Sequence, residues 1–157
     1  MKNRYFFHTL IATGFGTGFS PFAPGTAGAA LALLVWYVIS IFVSPFFLTL
    51  TTVFLIALFT FLGVWSSGVM EKVWGKDPSR VVVDEMVGTW ITLLAVVPAN
   101  LYYGIAAFCL FRLFDIFKPL GIRKTEAIGN GWGIMIDDIL SGIYALLVLL
   151  ALRWVVG

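Results

Sequence analysis

The sequence has one cysteine and one histidine in 157 residues, and only 11% of its residues are charged. Each shortage closes off a class of chemistry. A single cysteine, Cys109, cannot form an internal disulfide and excludes a cysteine-rich metal site. It lies in an apolar run and reads as a packed thiol. A lone histidine, His8, excludes a zinc site built from histidines. The net charge of +2, with no basic arm and no interleaving of aromatic and basic residues, argues against a nucleic-acid partner. What the chain has in excess is grease. Its hydrophobic fraction is 61% and its mean hydropathy +1.01, against about 45–50% apolar residues in soluble domains. The composition points to a single membrane domain over residues 1–157.

Apolar runs fall at about 26–44, 46–65, 86–98, 100–117 and 134–156. The first, second and last are long enough to cross ~30 Å of hydrocarbon as helices. The third is short; it extends back through Val81–Val83 or stays partly inside the bundle. The breaks are Ser44-Pro45, a polar loop Ser66–Arg80, Pro98-Ala99-Asn100 and Lys118–Gly133, each marked by Pro or Gly. The stretch Tyr5–Thr13, preceded by Lys2 and Arg4, imitates a short signal peptide but ends in glycines, and reads as an interfacial amphipathic helix. The expectation is an all-α polytopic bundle of about five membrane-embedded helices plus that N-terminal helix. Basic residues cluster at Lys2/Arg4, at Lys72, Lys76 and Arg80, and at Arg112, Lys118, Arg123 and Lys124, while the two short turns carry none. The positive-inside rule then places the N-terminus and both long loops in the cytoplasm, with only Arg153 opposite.

Five of the eight carboxylates form three clusters at the ends of apolar runs: Asp84-Glu85, Asp115 and Asp137-Asp138. An ionised residue at the centre of a membrane helix costs about 2.5–3.5 kcal/mol. Five unpaired would cost roughly 12–18 kcal/mol, more than most folds have to spare. They must reach water, pair with cations or bind metal. The five-helix topology brings all of them to the cytoplasmic ends of helices, at similar depth. Acids without His or Cys are hard oxygen donors, suited to Mg²⁺, Mn²⁺ or Ca²⁺. Neighbouring helical residues diverge by about 100°, so one acid of each doublet is expected to face a common centre and the other to act through water or as a base. Helix capping and dipole pairing are the plainer account of any single acid.

Arg112, Asp115 and Lys118 recur every three residues and share a broad helix face that ends at Pro119. Two cations around an acid make an ion-pair ladder or a phosphate grip. The Gly/Pro-rich segment Gly14–Gly28, with Ser20, Gly25 and Thr26, offers backbone N–H groups to a phosphate, or is a re-entrant turn capped by Thr26 that allows close helix packing. It is neither a dinucleotide fingerprint nor a Walker loop. Gly129–Gly133 before the second doublet suits a mobile edge or a plain turn, and Lys76–Arg80 a turn carrying positive charge. Trp36, Trp65, Trp90 and Trp154 read as interfacial anchors or packing.

Four ordered stretches, Gly-Thr-Gly-Phe-Ser-Pro-Phe-Ala-Pro-Gly-Thr-Ala-Gly (16–28), Lys-Asp-Pro-Ser-Arg-Val-Val-Val-Asp-Glu-Met-Val-Gly (76–88), Phe-Arg-Leu-Phe-Asp-Ile-Phe-Lys-Pro (111–119) and Gly-Ile-Met-Ile-Asp-Asp-Ile-Leu-Ser-Gly (133–142), resemble the phosphatidylglycerophosphatase A family. The resemblance runs from about Thr13 to Tyr144. It implies a helical, Mg²⁺-requiring lipid phosphatase of the bacterial cytoplasmic (inner) membrane, which hydrolyses the terminal monoester of phosphatidylglycerophosphate. The implied catalytic and metal-binding acids are Asp84, Glu85, Asp115, Asp137 and Asp138, and the implied basic residues are Arg112 and Lys118. With Ser20, Gly25 and Thr26 these make up the expected phosphate-binding set. The chain departs from the family at Ala29, where a serine is common, and over Gly121–Asn130, which lacks the usual Trp- and Arg-rich loop.

The expected chemistry is metal-assisted attack of water on phosphorus, with an aspartyl-phosphate route as the alternative. The expected partners are the bilayer and its phospholipid substrate, and a homo-oligomer is compatible with this reading. The competing functions are another membrane lipid-phosphate enzyme of the phosphatidyltransferase type, a small ion or solute transporter, and a structural membrane subunit. The spaced acidic pattern of the phosphatidyltransferases does not occur here, and acids at one face rather than the midplane argue against transport.

Overall fold

The computed structural model describes residues 4–96 and 98–157, and Lys2 lies outside them. Among the described residues the chain is all-helical: α1 (Phe6–Ala12), α2 (Pro24–Phe42), α3 (Pro45–Trp74), α4 (Val83–Leu93), α5 (Leu101–Phe117) and α6 (Trp132–Val156), with two short 3₁₀ turns at Thr17–Phe19 and Ile122–Ala127. Three helices, α2, α3 and α6, are long and apolar enough to cross a membrane. The five crossings expected are therefore corrected to three by length and composition. With 11 residues, α4 is about 16 Å long, half the hydrocarbon thickness, and α5 with 17 reaches about 25 Å.

The brevity of α4 follows from where it sits. Ten of its residues are buried, all but Glu85, and it packs against α2, α3, α5 and α6. Its apolar run is covered by protein on every side and needs no membrane length. Trp90 of α4 donates through Nε1 to the Ala32 carbonyl of α2 at 3.0 Å. Thr92 Oγ1 donates to the Gly142 carbonyl of α6 at 3.2 Å. Around these contacts lie the buried side chains of Trp36, Met86, Leu93 and Met135. Trp36 and Trp90 thus belong to the core, whereas Trp65 and Trp154 are exposed.

Glycine sets the crossing of α4 and α6. A Cβ at Gly142 would stand 2.6 Å from the Gly88 carbonyl oxygen, and one at Gly88 would stand 2.8 Å from the Asp138 carbonyl oxygen. Only bare backbone lets the helices approach this closely. Gly88 follows Asp84 by one turn and Gly142 follows Asp138 by one turn, so the same contact draws the two acidic helix ends together.

The helix ends show which sequence signals governed. Asn100 caps α5, accepting from Tyr102 N at 2.9 Å and Tyr103 N at 3.3 Å. This is the Pro98-Ala99-Asn100 break in its structural form. The loop expected from Ser66 begins only after Trp74, because the polar tail of α3 buries Ser66, Ser67 and Met70. There α1 docks alongside, with His8 Nδ1 3.4 Å from Ser66 Oγ and Thr9 Oγ1 3.8 Å from Met70 Sδ. Cys109, expected to be packed, is exposed on α5. It lies on a face that no neighbouring helix covers.

Candidate metal and phosphate site

The N-terminal ends of α2, α4 and α6 meet the C-terminal end of α5 around a cavity of about 340 Å³, lined by Asp84, Glu85, Arg112, Asp115, Lys118, Asp137 and Asp138 with Gly25, Asp77 and neighbours. All five expected acids and both expected cations are therefore brought together. Alternating helix direction does this: the chain returns to the same end of the bundle at each acidic motif.

Within the cavity the acids divide into two sets. Asp84, Glu85 and Asp138 each present an oxygen within 4.8 Å of the others. Of the second doublet only Asp138 belongs to this trio, as expected of one acid per doublet, whereas both Asp84 and Glu85 of the first do. Both lie in the first turn of α4, where no preceding turn hems them in, and the extra methylene of Glu85 makes up for the angle between them. Asp84 Oδ1, Glu85 Oε2 and Asp138 Oδ2 are buried with no hydrogen-bond partner among the described residues. A buried, bare carboxylate oxygen is costly unless a cation completes it. Three acids that bring oxygens this close together, each with a bare buried oxygen, form a hard donor set that fits a divalent ion such as Mg²⁺.

Asp115 and Asp137 are instead tied to cations. Arg112 Nη1 donates to Asp115 Oδ2 one turn along α5. Lys118 Nζ donates to Asp137 Oδ2 and, at 3.1 Å, to Glu126 Oε1. Lys118 closes α5 in the left-handed conformation, φ 46°, just before Pro119. That turn carries its side chain back over the cavity. Burial works against the Lys118 charge, but the hydrogen bond and charge of Asp137 outweigh it, and Glu126 and Asp138 add to them, so its pKa lies above the ordinary lysine value. The Arg112 Nε is buried and unpartnered among the described residues, which leaves a donor for an incoming anion.

The Gly/Pro-rich segment contributes less than expected. Gly25 lines the cavity; a Cβ there would stand 3.1 Å from both Arg112 Nη1 and the Glu85 carboxyl carbon. Ser20 and Thr26 are not among the lining residues. The Ser20 hydroxyl donates to the Phe22 carbonyl at 2.8 Å. Thr26 is not the cap of α2, which starts two residues earlier behind Ala23. Gly14, Gly18 and Gly28 face Val82, Met86 and the Arg80 backbone. Their smallness serves packing of the α3–α4 connection rather than phosphate.

Glu71 and Asp77 escaped the sequence reading. Glu71 accepts from Asp77 N at 3.3 Å and from Gly131 N at 3.2 Å, clasping the two loops that flank the cavity. Its signal was its position. An acid in the last turn of a helix opposes the macrodipole, so keeping it there calls for donors beyond the helix. Asp77 lines this cavity and also a neighbouring recess of about 260 Å³ that contains Glu71, Lys76 and Glu126.

These features define a class: helical proteins with membrane-length spans that gather an acidic, cation-flanked cavity at one end of the bundle. A profile of the phosphatidylglycerophosphatase A family matches residues 10–153. Two proteins named phosphatidylglycerophosphatase A are similar to the chain. One, from Haemophilus influenzae, is 38% identical over 148 residues, covering 92% of this chain and 88% of the relative. The other, from Escherichia coli, is 36% identical over 154 residues, covering 94% and 86%. A Bacteroides thetaiotaomicron protein that bears the provisional name phosphatidylinositol-3-phosphatase is 56% identical over 161 aligned positions, covering all of both chains. No solved structure matches the chain significantly. The chain belongs to the phosphatidylglycerophosphatase A family, and with it to the phosphomonoester hydrolases.

Proposed function

We propose that this protein hydrolyses the terminal phosphomonoester of phosphatidylglycerophosphate to phosphatidylglycerol and phosphate, using Mg²⁺, at the cytoplasmic face of a bacterial inner membrane. The observation that carries the reading is the cavity itself, which the close trio Asp84, Glu85 and Asp138 lines together with two cations, Arg112 and Lys118. A phosphate that coordinates an ion through some oxygens and accepts from cations through the rest needs this arrangement.

Asp84, Glu85 and Asp138 would hold the ion, which when bound polarises the phosphate and makes a water acidic enough to attack at neutral pH. Arg112, kept in place by Asp115, donates to the phosphoryl oxygens through its free N–H edge. Lys118, kept cationic by Asp137, offsets the charge that builds up on those oxygens. A cavity carboxylate accepts the attacking water's proton as its oxygen bonds to phosphorus, the phosphorus–oxygen ester bond breaks, and the carboxylate returns the proton to the glycerol oxygen, which leaves as the alcohol. The bilayer holds the acyl chains, so only the headgroup has to be positioned. Cytoplasmic placement is supported by Lys72, Lys76, Arg80, Arg123 and Lys124, which all lie on loops or a helix tail at the cavity end.

A second substrate, phosphatidylinositol 3-phosphate, is suggested by the name of the Bacteroides relative. Phosphate release by the purified protein from phosphatidylglycerophosphate, phosphatidylinositol 3-phosphate and phosphatidic acid, with Mg²⁺ or with EDTA, separates the readings. The expected result is fastest release from phosphatidylglycerophosphate and none in EDTA. Faster release from the inositide moves the assignment to that lipid, and no release from any of them removes the phosphatase reading.

A further inference from the structure

We propose that Arg80 forms a second anion site, which takes the phosphodiester of the lipid substrate while the phosphomonoester occupies the acidic cavity. The inference rests on the phosphatase reading and names the part of the enzyme that recognises the rest of the headgroup.

The Arg80 guanidinium lies over two aromatic rings, 5.8 Å from the centre of Phe19 and 5.7 Å from that of Trp74. The rings are 6.3 Å apart and nearly perpendicular. The backbone beneath is held as firmly. Gly18 packs against the Arg80 carbonyl, where a Cβ would stand 2.9 Å from the carbonyl carbon. Val81 N donates to the Pro78 carbonyl at 3.0 Å and Val82 N to the Ala12 carbonyl at 2.8 Å. Among the described residues no carboxylate lies within ion-pair distance of Arg80, although Asp77 and Asp84 are its near neighbours in sequence. Both line the acidic cavity instead.

A guanidinium stacked on rings keeps its N–H edge open, and that edge matches the two oxygens of a phosphodiester. Arg80 borders a recess of about 290 Å³ with Trp74, Pro78 and Ser79, and Pro78 and Ser79 are also a wall of the acidic cavity. Two anion-seeking recesses thus share one wall. Phosphatidylglycerophosphate has the matching pattern, a monoester and a diester joined through one glycerol. Trp74 and the half-exposed Phe19 are the residue types that settle at headgroup depth, where a lipid's diester lies.

The test is Arg80→Gln in neutral detergent micelles, read by steady-state kinetics and by product inhibition. The two products report separately on the two sites: short-chain phosphatidylglycerol carries only the diester, and inorganic phosphate mimics only the monoester. Expected are a rise in KM for phosphatidylglycerophosphate of about tenfold with kcat within about twofold, and a similar rise in Ki for phosphatidylglycerol, while Ki for phosphate moves less than about twofold. Unchanged KM and Ki overturn the proposal. So does an equal rise in Ki for phosphate, which would make Arg80 a support of the acidic cavity, and so does failure of phosphatidylglycerol to inhibit the unmodified enzyme. Should R80Q not fold, Arg80→Lys and Trp74→Leu carry the test. Each is expected to raise KM and the phosphatidylglycerol Ki about threefold, and no rise in either variant overturns the idea. If the unmodified enzyme releases no phosphate from the lipid, the functional reading fails first, and the two failures remain distinct.

Discussion

Asp138 shows how much of the site depends on single atoms. It is almost wholly buried, and its Oδ2 has no hydrogen-bond partner among the described residues, while Glu85, Asp115 and Asp137 crowd around it. Negative charges this close in a poorly screened interior repel strongly. Asp138→Asn is expected to lower phosphate release at least about 100-fold. In EDTA it should also melt above the unmodified protein, because one repelling charge is gone. Mg²⁺ should raise the melting temperature of the unmodified protein and not that of the variant. Thermal melts with and without Mg²⁺ check this; a variant that melts lower in EDTA and still responds to Mg²⁺ would exclude Asp138 from the ion-binding set. That the five acids and two cations would meet at one cavity was legible from their types and from their places at the ends of apolar runs. Their division into a close acidic trio and two cation-tied partners was not, because spacing along a helix does not say which rotamer a side chain takes. Ser20 and Thr26 show the same limit from the other side. Their residue types suit phosphate, but type alone does not say that the Ser20 hydroxyl donates to the Phe22 carbonyl or that neither residue lines the cavity.

Between elements, the crossing of α4 and α6 decides whether the acids meet. Gly142→Ala puts a methyl group into the Gly88 backbone, where no flexible side chain can yield. Overpacking of this kind costs about 1–3 kcal/mol. The expected outcome is a lower melting temperature together with a fall in activity of about tenfold or more, since the helices separate at the Asp84, Glu85 and Asp138 trio. Gly104→Ala is the matched control. Its Cβ would meet only the tip of Leu33 at 3.2 Å and the edge of Trp36 at 4.0 Å, so activity should stay within about twofold. Equal loss in both variants would show general fragility rather than a helix crossing that sets the site. Helix breaks at Pro98–Asn100 and Lys118-Pro119 were legible because proline and a capping Asn act locally. The extra turns of α3 were not. They exist because α1 packs on them, and that partner lies about sixty residues away in the chain.

For the whole molecule, the helical class and the gathering of charge at one end followed from hydropathy and from the Lys and Arg distribution. The number of spans did not, since an apolar run covered by protein and one covered by lipid look alike in composition. Orientation is testable with the single native cysteine removed. In a Cys109→Ser background, Ser44→Cys and Lys124→Cys each place one thiol at an exposed position, at opposite ends of the bundle. A membrane-impermeant maleimide applied to spheroplasts is expected to label position 44 at once and position 124 only after lysis. Labelling of position 124 in intact spheroplasts would reverse the topology and move the cavity to the outer face.

The enclosure of α4 has a mechanical consequence. Its neighbours form a sleeve around it; Asp84 and Glu85 are mounted on the rod inside, while Asp138 sits on α6, one of the sleeve helices. When the surrounding bilayer thickens or thins, the long outer helices tilt or shift to match it. The inner rod meets no acyl chains and feels that adjustment only through its protein contacts. Asp84 and Glu85 are thereby insulated from the lipid composition that a phospholipid-producing enzyme would itself be changing, and any such change reaches the cavity through the α6 acids that face them.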